Sequence, residues 1–326
     1  MREDETPAGF ANRYLSRRRL LRLAGAASAL PWLPHHSPAE AAAVGVTEIA
    51  EGIYVHTGRH ATVSAANAGD IANCTFIVGR EAVAVIDTGS TFKFGMSLKA
   101  AIRAVTPLPV RFVINTHMHP DHVFGNAAFE PDAPTFIAHH KMARGLAARA
   151  ETFLRRYEEQ IGTEAFAGTK IVYPSTTVTE RSSIELGGRT LELVARSTAH
   201  TDNDLTIRDG ATDTLLLGDL LFSGHVPTLD GSILGWLKVI EDLKAGPAAR
   251  VVPGHGPPSM PWPDAIAPVE RYLNVIVRDV RALIKDGKTL SEATEVAGTS
   301  ERDAWQIFDE HHVRNVTAAF AELEWE

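Results

Sequence analysis

Thr116-His117-Met118-His119-Pro120-Asp121-His122 places three imidazoles and a carboxylate within seven residues, a density that no apolar core requires. The run in front of it, Val110-Arg111-Phe112-Val113-Ile114-Asn115, is β-branched and aromatic and predicts a buried strand, so the cluster sits where a strand gives way to a loop. Side chains on such a loop can converge on one point. Imidazole nitrogens with a carboxylate oxygen, and no thiolate, suit a borderline divalent metal such as zinc.

Upstream of the cluster, residues 46–56 alternate as a strand pair bent at Gly52, and residues 57–72, rich in Gly, Ala and Asn, predict a mobile loop. Residues 74–78 and 82–87 form a hairpin around Gly79-Arg80 that ends on Asp87, a carboxylate at a strand terminus. Residues 92–105 carry apolar side chains at helical spacing and stop before Pro107. Downstream come a strand at 135–138, an amphipathic helix at 139–161 opened by His139-His140, and a hairpin at 183–194 around Gly187-Gly188. Strands at 205–208, 214–218 and 250–253 follow, then helices at 263–286 and 291–296 and a mostly helical tail. This order predicts a layered α/β fold with two sheets between helices. With no fixed-period repeat and no low-complexity linker after residue 45, residues 44–326 read as one domain whose helical extension covers about 262–326.

Composition narrows the function. Hydrophobic residues make up 44% of the 326-residue chain, ample for a core, and the formal net charge is −8 with no basic stripe outside the N-terminus, which argues against a phosphate-backbone partner, so no nucleic acid is expected. The single cysteine, Cys74, lies in a strand-like run and predicts a buried, inert thiol. At the N-terminus, Ser16-Arg17-Arg18-Arg19-Leu20-Leu21-Arg22 precedes an apolar segment to Leu33 and then Ala39-Glu40-Ala41-Ala42-Ala43. This resembles a twin-arginine export signal spanning residues 1–43, cleaved after Ala41 or Ala43. The apolar run is too short for the ~20 residues of a bilayer span, so the expectation is a periplasmic protein without stable membrane insertion.

Three later segments repeat the pattern of a ligand after a strand: His200 in Ser197-Thr198-Ala199-His200-Thr201-Asp202, Asp219 in Leu217-Gly218-Asp219-Leu220, and His255 in Pro253-Gly254-His255-Gly256. Each alone reads as a packed histidine or a turn carboxylate, and the neighbouring glycines let the backbone turn sharply enough to aim the side chain inward. In this order, with His117-x-His119-x-Asp121-His122 ahead of them, they resemble the metallo-β-lactamase superfamily over residues 46 to about 260. That resemblance implies an αββα sandwich holding two zinc ions, one on His117, His119 and His200, the other on Asp121, His122 and His255, with Asp219 bridging. It implies a small-molecule substrate whose carbonyl is attacked by a hydroxide shared between the metals, formed because the paired cations lower the pKa of water from ~15.7 to ~7. Asp121 would act as the catalytic residue that orients the hydroxide or shuttles its proton, and Asp87 would steady a ligand imidazole or the loop, unless it merely caps the turn.

The family's flavodiiron branch has Glu where this chain has His119, which favours hydrolysis over oxygen reduction. The best-known zinc β-lactamases carry Cys, and another group Ser, where this chain has Asp219. An Asp bridge looks like glyoxalase II, lactonases and phosphodiesterases, and residues 262–326 lack a basic cluster suited to glutathione. The whole chain resembles the quinoprotein relay system zinc metallohydrolases most, through residues 115–128, 198–204, 217–222, 252–257 and the ending Arg314-Asn315-Val316-Thr317-Ala318-Ala319-Phe320-Ala321-Glu322-Leu323-Glu324-Trp325-Glu326. The function expected is hydrolysis of an ester, lactone or thioester. The alternatives are a zinc β-lactamase or a non-catalytic metal-binding accessory associated with a quinoprotein dehydrogenase system. Substrate walls are expected from residues 57–72 and 222–236, with His225 left ambiguous, Trp236 assigned to the core, and His311-His312 taken as solvated.

Overall fold

A computed structural model describes residues 42–326, so the export signal lies outside the described residues except for its last two. The alternation along two strands sets the layering. Strand β1 (Thr47–Ala50), β2 (Ile53–His56), β3 (Cys74–Val78), β4 (Val83–Ile86), β5 (Val110–Ile114), β6 (Thr135–His139) and β7 (Thr176–Val178) form one sheet in sequence order. A second sheet holds β8 (Arg181–Glu185), β9 (Thr190–Ala195), β10 (Leu205–Asp209), β11 (Thr214–Phe222) and β12 (Arg250–His255), ordered from β12 at one edge to β8 at the other. Successive side chains of a strand face opposite ways. Thus Ala84 and Ile86 of β4 meet Leu193, Ile207 and Leu216 of the second sheet. Val83 and Val85 face outward, against Leu98 and Ile102 of helix α1 (Phe92–Val105).

The remaining helices are α2 (Pro120–Val123), α3 (Met142–Ile161), α4 (Thr163–Phe166), α5 (Ile233–Lys244), α6 (Ala267–Lys285), α7 (Leu290–Val296) and α8 (Phe308–Leu323). The outer face of the second sheet is covered by α5, α6 and α8, where Leu217 shares a core with Trp236, Ile276 and Phe320. Each fully buried large side chain there contributes about 1.5–3 kcal/mol. The layers therefore run helix, sheet, sheet, helices. No helix among the described residues is long and apolar enough to cross a membrane.

Strands β4, β5, β6 and β7 pair in parallel, and so do β11 and β12. Parallel neighbours need crossovers, which α1 supplies from β4 to β5, α2 from β5 to β6, α3 and α4 from β6 to β7 and α5 from β11 to β12, and the C-terminal ends of β4, β5 and β12 carry Asp87, the segment 116–122 and His255. The interior of the sandwich is apolar, and its rim collects the polar side chains. Helix α5 is joined to the C-terminal helix by its cap: Ser232 Oγ accepts from Gly235 N at 2.8 Å and donates to Glu322 Oε1 at 2.7 Å. Ser232→Ala is expected to cost about 1 kcal/mol, read as a lower denaturant midpoint at unchanged slope. An unchanged midpoint would mean that the cap does not tie the helices.

Several expectations need correction. The strand expected to end at Gly218 continues to Phe222, so Asp219 lies within β11 rather than after it. The ladder to β12 is irregular there, and Gly218 at φ +52° lets the backbone turn the Asp219 side chain inward. His139 and His140 do not open a helix: His139 ends β6 opposite Val178, and α3 begins at Met142. Parallel pairing with the short β7 keeps the backbone extended at that point. His311 and His312 are not both solvated: His311 is half-buried on the cavity wall and His312 is buried. His312 is 2% exposed, with Nδ1 2.9 Å from the Tyr272 hydroxyl and Nε2 2.7 Å from Ala297 O, because α8 lays this face on α6. Trp236 is fully buried, as expected of a core residue, and its Nε1 donates to Leu220 O. Residues 57–72 form a looped segment held by Arg59 N to Asp70 O and Gly58 N to Asn73 Oδ1.

Candidate metal centre

The loop after β5 turns at once into α2, with Pro120 in its first turn, and this short turn directs His117, His119, Asp121 and His122 to one side. His200 arrives from the β9–β10 connection, Asp219 from β11 and His255 from the end of β12. The structure thus brings all seven sequence-flagged side chains together. They form two groups, His117 with His119, His200 and Asp219, and Asp121 with His122 and His255, each with one donor atom per residue within 4.8 Å of the others.

Within the first group, His119 Nδ1 lies 3.1 Å from His117 Nε2 and 3.0 Å from His200 Nε2. A tetrahedral ion with ~2.0–2.1 Å bonds to nitrogen has donor-to-donor edges of about 3.3 Å, close to this spacing. Within the second group, Asp121 Oδ2 lies 3.6 Å from His122 Nε2 and 3.4 Å from His255 Nε2. Asp219 reaches both groups. Its Oδ2 is 3.7 Å from His117 Nε2, 3.5 Å from His200 Nε2 and 3.4 Å from His255 Nε2, while its Oδ1 is 3.2 Å from His122 Nε2.

Two observations fit the site to cations. Although 3.2 Å apart, His122 Nε2 and Asp219 Oδ1 do not meet at a hydrogen-bonding angle, and both are buried without a partner among the described residues. Buried polar atoms are rarely left so unless something else satisfies them. The second is the room made for the carboxylate: a Cβ on Gly254 would stand 1.9 Å from Asp219 Oδ1, so only glycine leaves space there.

The charges point the same way. Burial pushes the His200 imidazole down to about 3, and burial with the neighbouring His122 holds His117 well below its ordinary value. His255 is the reverse: burial lowers it, but Asp219 and Asp121 outweigh that and raise it to about 9. Around His122, burial is likewise outweighed by Asp219, Asp121 and Asp87, and the imidazole is held well above its ordinary value. Three buried carboxylates thus demand positive charge from the imidazoles around them. Bound cations would satisfy that demand with every imidazole neutral.

Each histidine is held from behind through its other ring nitrogen, the arrangement that fixes tautomer and orientation in metal sites. His119 Nε2 donates to Asp230 Oδ2 at 2.9 Å, His200 Nδ1 to Thr228 O at 2.6 Å and His255 Nδ1 to Ile71 O at 2.8 Å. Asp87 supports two more. His122 Nδ1 donates to its Oδ2 at 2.8 Å, and Thr116, 3.0 Å from His117 Nδ1, donates Oγ1 to Oδ2 at 2.7 Å and N to Oδ1 at 2.8 Å. Asp87 holds φ +59°, a left-handed conformation rare outside glycine, and the contacts to both loop and imidazole keep it there.

Sequence reading missed Asp230, which also receives Arg149 from α3 and, at 3.0 Å, Arg314 from α8. In Leu229-Asp230-Gly231-Ser232 it reads only as a turn, and no local signal marks it. Asp230→Ala is expected to weaken metal binding at the His119 group about 10–100-fold, measured by competition with a chromophoric chelator. Unchanged affinity would show that His119 needs no such support.

The two groups open into a cavity of about 550 Å³, within the range of small-molecule sites. Val63 and Ile71 from the segment 57–72, and Phe222 and His225 from the segment 222–236, line it. Tyr157 of α3, also unflagged by sequence, places its hydroxyl 3.5 Å from Asp121 Oδ1.

The sequence matches the family model described as Metallo-beta-lactamase superfamily over residues 68–255. Among solved structures the fold is similar to "Metallo-beta-lactamase from Pontibacter korlensis", with a TM-score of 0.58 and 21% identity over 71% of this chain and 99% of that one. It is also similar to the sec-alkylsulfatase Pisa1 from Pseudomonas sp., with a TM-score of 0.68 and 16% identity over 86% of this chain and 50% of that one. A search of curated proteins returned no match. With the family model spanning more than half of its length, and the expected sandwich and histidine-aspartate clusters in place, the chain belongs to the metallo-β-lactamase superfamily.

Proposed function

We propose that the chain is an exported binuclear zinc hydrolase of esters, lactones or thioesters, related to the quinoprotein relay metallohydrolases. One observation carries this reading: the Asp219 carboxylate lies between the two donor groups, its two oxygens within 3.2 to 3.7 Å of four imidazole nitrogens. His117, His119 and His200 would hold one ion, Asp121, His122 and His255 the other, with Asp219 on both. Bound there, two divalent cations supply Lewis-acid polarisation and a water acidified to near neutral pH.

The chain's own residues do the rest. Burial raises the Asp121 carboxyl, but the His122 and His255 imidazoles outweigh it and hold it below the usual range, so it stays ionised and can accept the hydrogen bond that orients a water. Burial and the nearby Asp121 push the Tyr157 hydroxyl well above its ordinary value, so it remains a donor on the cavity wall, available to negative charge developing on a substrate oxygen. Phe153 and Phe222 give the substrate an apolar surface.

The Arg17-Arg18 segment supports a periplasmic setting and, with it, association with a quinoprotein dehydrogenase system. The test is a panel of lactones, thioesters, phosphodiesters and β-lactams, each with and without chelator. Chelator-sensitive turnover of an acyl substrate is expected. Turnover of nitrocefin alone would replace the reading by a β-lactamase. Turnover of nothing, with dehydrogenase function retained, would replace it by a metal-binding accessory.

A further inference from the structure

We propose that the substrate carries a carboxylate remote from its scissile carbonyl and that Arg156 of α3 receives it. This names the substrate class of the hydrolase reading and rests on that reading.

Arg149, Phe153, Arg156, Tyr157 and Gln160 recur at helical spacing and make one stripe of α3 along the cavity that opens on His119, Asp121, Asp219 and His255. The arginines on that wall are not equivalent. Arg149 is committed to Asp230, as is Arg314 from the facing C-terminal helix. Arg155, one residue away, pairs with Glu159 at 3.4 Å and does not line the cavity. Arg156 lines the cavity, is exposed, and has no carboxylate within ion-pair distance among the described residues.

Apart from the proposed ligands, the charged lining residues are Arg149, Arg156 and Arg314 against Asp230 and Glu310, a positive excess in a chain of net charge −8. A local excess of this sign in a concave, partly apolar site concentrates anions. The guanidinium is a planar fork of donors that binds a carboxylate through two parallel hydrogen bonds, which an ammonium cannot reproduce. Phe153, on the same helical stripe between Arg149 and Arg156, offers an apolar surface for the methylenes of the substrate. The chemical class is therefore an acyl compound with a short aliphatic stem and a terminal carboxylate.

Two probes separate charge from shape, adipic acid monoamide with one carboxylate and adipamide with none. By titration calorimetry on the metal-loaded protein, the monoamide is expected to bind at least about tenfold tighter than the diamide. Arg156→Ala should erase that preference, Arg156→Lys should keep part of it, and Arg155→Ala should leave it intact. Equal binding, no measurable binding of either probe, or a preference that survives Arg156→Ala would overturn the assignment, the last by placing the carboxylate elsewhere.

A kinetic pair completes the test: mono-4-nitrophenyl glutarate and 4-nitrophenyl butyrate. Arg156→Ala should raise KM for the glutarate ester about tenfold with kcat unchanged and leave the butyrate ester alone. If neither ester is cleaved while the binding preference persists, the hydrolase reading fails and the anion site stands. If both esters are cleaved equally well and both probes bind alike, the anion site fails and the hydrolase stands.

Discussion

Asp219→Ala will abolish chelator-sensitive turnover and weaken metal binding in both donor groups at once. No other side chain of the site reaches both: its Oδ1 faces His122 and its Oδ2 faces His117, His200 and His255. Removing it would take an anionic donor from both groups and leave four imidazoles without the carboxylate that balances them. The loss should exceed the ~10–100-fold expected from an outer partner such as Asp230. Asp219→Asn keeps the shape while removing the charge, so it separates loss of fold from loss of function. A folded Asn variant with near-normal turnover would contradict the bridging role.

The second large effect expected of the proposed hydrolase is complete loss of turnover on chelation, restored by added zinc, with a pH signature set by the imidazoles. Burial lowers His255, but Asp219 and Asp121 outweigh it and raise it to about 9, so it carries a proton in the metal-free protein at neutral pH, and around His122 burial is likewise outweighed by the carboxylates, which hold it well above its ordinary value. His117 and His200, pushed down chiefly by burial, are already neutral. A metal ligand must be deprotonated, so metal binding at pH 7 expels protons from the Asp121–His122–His255 group, and affinity there rises with pH up to about 9. The sign for stability is opposite. A histidine whose folded pKa is raised above the unfolded value stabilises the metal-free fold below about 6.5 and loses that contribution as pH rises through about 9. Calorimetry in buffers of different ionisation enthalpy reads the proton release directly. Release of no protons would mean that the carboxylates do not hold these imidazoles charged.

The clustering of the seven side chains was legible because the four segments that carry them, each with His, Gly-Asp or Gly-His near a strand end, occur in a specific order that resembles one family. The sandwich was legible for a similar reason: residues 92–105 show helical spacing and become α1 with those bounds, the run at 74–78 becomes β3, and the run at 110–115 becomes β5, which ends one residue earlier at Ile114. What escaped depends on packing between distant parts of the chain. Asp230 meets His119 from 111 positions away, and Arg149 and Arg314 join it from two different helices. No periodicity or motif foretells a carboxylate shared by three such partners. The extension of β11 past Gly218 escaped because the glycine there reads as a strand end, whereas it serves a close approach between distant segments: a Cβ on Gly218 would stand 2.6 Å from Thr116 Cβ. His312 looked like a solvated tail residue because sequence alone does not reveal that α8 presses it onto Tyr272.

The most direct test of the two-metal account is a titration of zinc into the metal-free protein, followed by metal analysis after gel filtration. The account predicts about two ions retained per chain, falling to about one when His122 and His255 are replaced together and to fewer in Asp219→Ala. One ion per chain in the unaltered protein, indifferent to His122 and His255, would contradict it.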